Sequence, residues 1–226
     1  HAIERVLCAL APWIGVHRPR LPVTCVRTFF RQLLLAREPV VFNEVVQALP
    51  VICPSLACHM TATQAEDLVL ETARAWMDQT PTCDPLHGLL QRAREALEAM
   101  PHTTRIRNEL AFLNLLARLH EYAWPSSAEP LTPRRVRAVP QKLELFARVL
   151  AYNRDAYQTR QIRSLGEACS EGSGSTDNAV RISAMLVDAA AANGDLVAAC
   201  RECERLVTRV QAIDRATNVE AYDAAW

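Results

Sequence analysis

The chain has 226 residues, half of them hydrophobic, and its 25 basic and 25 acidic side chains cancel to a formal net charge of zero. That much apolar content builds a core and excludes a disordered tail, while the charge balance argues against bulk attraction to nucleic acid or anionic lipid. Lys142 is the only lysine, so the positive charge is almost all arginine. No arginine cluster is interleaved with the aromatics of a strand-binding surface. The length does not require two domains.

Helical periodicity dominates, and strand alternation is nearly absent. Residues 2–10 place Ile3, Val6, Leu7 and Leu10 on one stripe before Pro12, and residues 22–37 do the same with Val26, Phe29, Phe30, Leu33 and Leu34. Residues 40–49 suggest a third helix ended by Pro50, and 51–60 a loop or a short helical turn. From 63 to 79 the pattern sharpens. Thr63 is the expected N-cap with Glu66 at capping-box spacing, and Pro81 closes the segment. Asp84 and Pro85 are expected to open the next helix, carrying Leu86, Leu89, Leu90, Ala93, Leu97 and Met100 up to Pro101.

Residues 102–122 bear two apolar stripes, the mark of a helix packed on two sides in a stack of hairpins. The proline-rich stretch 124–139 reads as an interruption, after which helix resumes over 141–152 and 157–169. The Gly-Ser run 171–176 reads as a flexible connector. Residues 177–193 form one arm of a hairpin, with Gly194 at the left-handed turn position and Asp195 capping the return helix. That return helix is expected to bury Leu196, Cys200, Cys203, Val207 and Val210, so Cys203→Asp should unfold it. A last segment, 214–225, is expected to be helical.

The eight cysteines, at 8, 25, 53, 58, 83, 169, 200 and 203, are too scattered for a disulfide framework and read as reduced thiols. Cys200 and Cys203 form a C-x-x-C pair with no second ligand pair at matching spacing, and sit mid-helix rather than after a strand. Cys53, Cys58, His59, Cys83 and His87 are too irregularly spaced for a metal site. There is no G-x-S-x-G elbow and no phosphate-cradling glycine loop. Arg134, Arg135 and Arg137 form a small basic cluster in a solvated loop. The sequence therefore supports no catalytic residue, no metal ligand and no cofactor. No stretch is long and apolar enough to span a bilayer.

The expected architecture is all-α: an irregular α-solenoid of antiparallel helical hairpins, without the strict period of a tetratricopeptide or ankyrin array. One segment spans 1–226, and a chain opening at His1 and stopping at Trp226 without a tail reads as a piece of a larger protein.

Residues 84–210 carry a specific order of features. An arginine- and leucine-rich helix ends at Met100–Pro101; Arg105–Leu110 then leads into Leu113–Leu119. The proline-flanked loop Pro133–Pro140 follows, and later the hairpin from Val180 to Leu206 with its Gly194–Asp195 turn. This order resembles the helical secretory domain of the neuroblastoma-amplified-sequence protein and its yeast counterpart, subunits of the Dsl/NRZ tethering complex. The kinetochore Rod protein is a more distant relative. Residues 1–80 add helical character, with no family motif placed in them. The resemblance implies a non-enzymatic scaffold in Golgi-to-ER retrograde transport. It would be cytoplasmic and peripheral on the endoplasmic reticulum membrane, binding other tether subunits and an ER SNARE, with no nucleic acid and no membrane insertion. The alternative is a generic tetratricopeptide- or HEAT-like adaptor with an unrelated partner.

Overall fold

The computed structural model describes residues 23–34, 61–124, 130–170 and 176–223. The expected segments 2–10, 40–49 and 51–60 and most of the connector 171–176 lie outside these residues. Every regular element among the described residues is helical: α1 Val23–Leu34, α2 Ala62–Gln79, α3 Gly88–Glu98, α4 Thr104–His120, α5 Pro133–Ala138, α6 Leu143–Tyr152, a 3-10 turn Ala156–Gln158, α7 Arg160–Ser170, α8 Thr176–Ala192 and α9 Leu196–Asp223. The all-α expectation holds. Helices adjacent in sequence pack on each other, α2 with α3, α6 with α7, α7 with α8 and α8 with α9. This neighbour-to-neighbour pattern is consistent with a helical solenoid. The described helices run from 6 to 28 residues, so they do not repeat as equal hairpins.

Contacts divide the chain into two compact units, residues 1–80 with 84–113, and residues 81–83 with 114–226. In the first, Leu68, Leu70, Trp76 and Met77 of α2 are buried with Leu90 and Leu97 of α3 and Ile106 of α4. Helix α2 begins with a capping box two residues earlier than expected. Thr61 Oγ1 accepts from Gln64 N at 3.2 Å, and Gln64 Oε1 accepts from Thr61 N at 2.9 Å. Gln64 does for Thr61 what Glu66 was expected to do for Thr63, satisfying two N-terminal amides reciprocally. Asp84 does not cap α3. Its Oδ1 accepts from Leu86 N at 2.9 Å, a tight turn that delays the helix to Gly88 and leaves Leu86 84% exposed.

The one buried carboxylate on α4, Glu109, accepts from Arg74 Nε at 2.7 Å, and its side chain is only 6% exposed. Arg74 is about half exposed, which discounts the pair's net worth. Arg74→Ala should still cost about 1–2 kcal/mol, because a buried carboxylate loses its cation. Adding Glu109→Leu should recover most of that loss. Urea midpoints of the single and double variants check this, and a double variant no better than the single would refute it.

In the second unit Phe146 is fully buried, with Leu116 and Leu119 of α4, Val136 of α5, Leu145 and Val149 of α6 and Ile162 and Leu165 of α7 at 3% exposure or less. The stretch expected to be an interruption contains α5. Thr132 caps it by accepting from Arg135 N at 3.3 Å, and Pro133 sits in its first turn, where a missing N–H costs nothing. Lys142 closes its other end, its ammonium donating to the carbonyls of Arg137 and Val139. Gly166 on α7 faces Ile182 of α8 so closely that a Cβ there would lie 2.9 Å from Ile182 Cγ2. Glycine is the residue that permits this approach.

The α8–α9 turn follows the sequence expectation. Gly194 adopts φ +78°, and Asp195 Oδ1 accepts from Ala198 N at 3.0 Å to cap α9. What departs is the face of α9. Ala199 is buried and Leu206 half-buried, while Leu196, Cys200, Cys203, Val207 and Val210 are all exposed. Positions 199, 202, 206 and 209 turn inward, about a quarter turn from the expected stripe. The helix expected over 214–225 is present as far as Asp223, as the unbroken continuation of α9.

Candidate functional site

Tyr157 and Gln158 in the 3-10 turn, Arg160, Ile162 and Arg163 on α7, and residues from Ala198 to Arg209 on α9 enclose a cleft of about 1130 Å³. Its position follows from local structure. Asp155–Thr159 fold as a 3-10 turn, with Thr159 Oγ1 donating to Ala156 O at 2.9 Å, and this starts α7 at Arg160. On α9, Arg201, Arg205 and Arg209 recur at every fourth residue and share one side of the helix.

The cleft is cationic. Arg160, Arg163, Arg201, Arg205 and Arg209 line it against Asp195, Glu202 and Glu204. Glu202 bridges the two helices, its carboxylate accepting from Arg163 on one side and Arg205 on the other. Burial pushes the Glu202 carboxyl up, but hydrogen bonds and charge from Arg163 and Arg205 outweigh it, and the group is held below the usual glutamate range. Arg209 donates to Ala179 O at 3.4 Å and to the buried Ser183 Oγ at 3.3 Å. Tyr157 Oη donates to Asp195 Oδ2 at 3.2 Å, so Asp195 serves the turn and the cap at once. Arg163 keeps a buried Nη1 with no hydrogen-bond partner among the described residues.

The lowered Glu202 value has a sign. A carboxylate depressed in the folded state adds stability that is fully present above the unfolded glutamate value, about 4.5, and is lost as pH falls through the folded value. Glu202→Gln should therefore be less stable than the parent at pH 7, and the gap in thermal midpoint should close on acidification below about pH 4.5. A gap independent of pH would show that Glu202 acts by shape alone.

The residues singled out for chemistry are not brought together. Cys83 is buried, its thiol donating to Leu131 O at 3.3 Å, and burial pushes it up to about 12; Cys169 is likewise buried and raised to about 12. Cys200 and Cys203 are exposed on α9, a correction to their expected place in the core. Cys53, Cys58 and His59 lie outside the described residues. Among the described residues no three His, Cys, Asp or Glu side chains gather as a metal site. Arg134 and Arg135 are exposed on α5 rather than on a loop, and Arg137 is half-buried. A second, smaller cleft of about 610 Å³ between α6 and α8 is walled by Ala147, Ala151, Ala189 and Ala192.

The arginines of the α7–α9 cleft were missed at the level of sequence. Their fourfold spacing on α9 was legible, but it is the spacing of any solvated helix face.

A model of the family described as secretory pathway protein Sec39 matches residues 27–226. The chain belongs to the Sec39 family. The match extends the resemblance, drawn from residues 86–209, to nearly the whole chain, including the amino-terminal part in which no family motif was placed. Sec39 membership assigns the chain to the secretory pathway and to the tether-subunit type of scaffold. No curated protein matches it in sequence. Among the described residues of this Sec39-family chain, no helix is long and apolar enough to cross a membrane.

Proposed function

We propose that this chain is a non-enzymatic scaffold segment of a vesicle-tethering complex at the endoplasmic reticulum. It acts in Golgi-to-ER retrograde transport by binding other tether subunits and an ER SNARE. The single observation that carries this reading is the Sec39 family match over residues 27–226. The irregular helix-on-helix packing supports it, because sequential helices offer long lateral surfaces and leave interhelical clefts for partner helices. The same reading puts the protein on the cytoplasmic side of the membrane, held there through its partners rather than by a span of its own.

Affinity capture of the protein from detergent-solubilised ER membranes tests the proposal. Mass spectrometry should recover tether subunits and an ER SNARE in amounts comparable to the bait. Recovery of neither class, from a bait that remains folded, overturns it.

A further inference from the structure

We propose that the arginine-lined cleft between α7 and α9 is a docking site for an acidic segment of a partner protein, a helix or strand bearing Asp and Glu along one side. This goes beyond the tether reading and does not depend on it.

Three observations carry the inference. The first is charge: five arginines meet three carboxylates, a local excess of two positive charges in a chain whose total charge is zero. The carboxylates, the exposed Glu204 among them, offset part of it. Asp195 is engaged by Tyr157 and by the α9 cap, and Glu202 is shared between Arg163 and Arg205. Arg160 and Arg201 are exposed and make no ion pair among the described residues.

The second is unmet donor capacity. A guanidinium offers five N–H groups, and buried donors are normally satisfied. Arg163 gives Nη2 to Glu202 and leaves Nη1 buried and unpartnered. Carboxylate forks match guanidinium geometry, and Glu202 already holds Arg163 and Arg205 in place, so part of the ordering cost of a second carboxylate is met in advance.

The third is shape. From Ala198 to Arg209 the cleft follows α9 for about 17 Å at the helical rise. The buried side chains of Ile162 and Leu186 contribute apolar surface to its wall. A small inorganic anion would occupy one arginine pair and leave the rest of the cleft empty. A segment of about a dozen helical residues spans it, setting carboxylates on the arginines and apolar side chains on the wall.

The test uses the whole chain and fluorescein-labelled synthetic peptides about twelve residues long. Glutamate occupies positions i, i+4 and i+8 to match Arg201, Arg205 and Arg209, with leucine between; control peptides carry glutamine or lysine at those positions. Fluorescence anisotropy should show binding of the acidic peptide and not of the controls, weakening as salt rises from about 0.05 to 0.3 M. The double variant Arg160→Glu/Arg201→Glu alters two exposed side chains and should keep the parent's circular dichroism and thermal midpoint. It should lose at least about tenfold in affinity. Three results would each overturn the proposal: binding indifferent to peptide charge, unchanged affinity in the double variant, or no binding of the acidic peptide, whether without or with capture by vesicles of phosphatidylcholine and phosphatidylserine in equal parts. Such capture would assign the cleft to a membrane surface instead.

Discussion

Ile182→Asp should destroy the α8–α9 hairpin, whereas Cys203→Asp should leave its stability within about 0.5 kcal/mol. Ile182 is 2% exposed and lies against Gly166, so the new carboxylate would be shut off from water. Burying an unpaired charge costs several kcal/mol, and we expect at least about 4. Cys203 is exposed on the flank of α9, and cysteine and aspartate have similar helix propensity, so little changes there. Circular dichroism melts of the two variants, side by side, decide the matter. A Cys203→Asp protein that melted as early as Ile182→Asp would mean that α9 is rotated from the orientation described.

Phe146→Ala should cost about 3–5 kcal/mol. Among the described residues Phe146 is the largest of the fully buried side chains, at 0% exposure on α6. Truncation removes the transfer free energy of a phenyl ring and leaves a cavity that surrounding helices fill only in part. Urea denaturation should show a lower midpoint with an unchanged slope, since the surface exposed on unfolding hardly differs. Phe146→Leu, which keeps much of the volume, should recover more than half of the loss. A loss under about 1 kcal/mol for the alanine variant would show that the site collapses freely and that α6 is not packed as described.

The two hairpin substitutions also show what the sequence disclosed and what it did not. Helix existence was legible wherever an apolar stripe of three-and-four spacing ended at a proline or glycine, as at Gln79 before Pro81, Glu98 before Pro101 and Ala192 before Gly194. Those signals are local, and local physics decides them. The caps of α2 and α3 were read two and three residues out of place because threonine and aspartate recur near each start. Which one caps depends on whether a Gln64 or a Leu86 amide lies within reach. Helix α5 escaped notice because four prolines read as breakers, although Pro133 stands at the one helical position that tolerates it.

The face of α9 was illegible for a different reason. Its stripe from Leu196 to Val210 and its inward row from Ala199 to Arg209 are both plausible seams. The inward one contains Glu202 and Arg209, which look like surface until Arg163 and Ser183 are found opposite them. The cleft shared that fate, since an ion bridge between α7 and α9 leaves no trace in the spacing of either helix. Family resemblance was read from the order of elements after residue 86, and the family match runs over residues 27–226.

Cys200 and Cys203 stand one helical turn apart on the open side of α9, while the thiols of Cys83 and Cys169 are buried and raised to about 12. Nucleophilic attack needs a thiolate within reach of reagent, so alkylation among these four should fall on the α9 pair. Arg201 and Glu202, between them in sequence, belong to the cleft wall. A dye clipped across the two sulfurs would be held rigidly beside that wall, and its rotation and brightness would report each arrival and departure of a guest. The molecule thus carries its own attachment point for an optical sensor of occupancy.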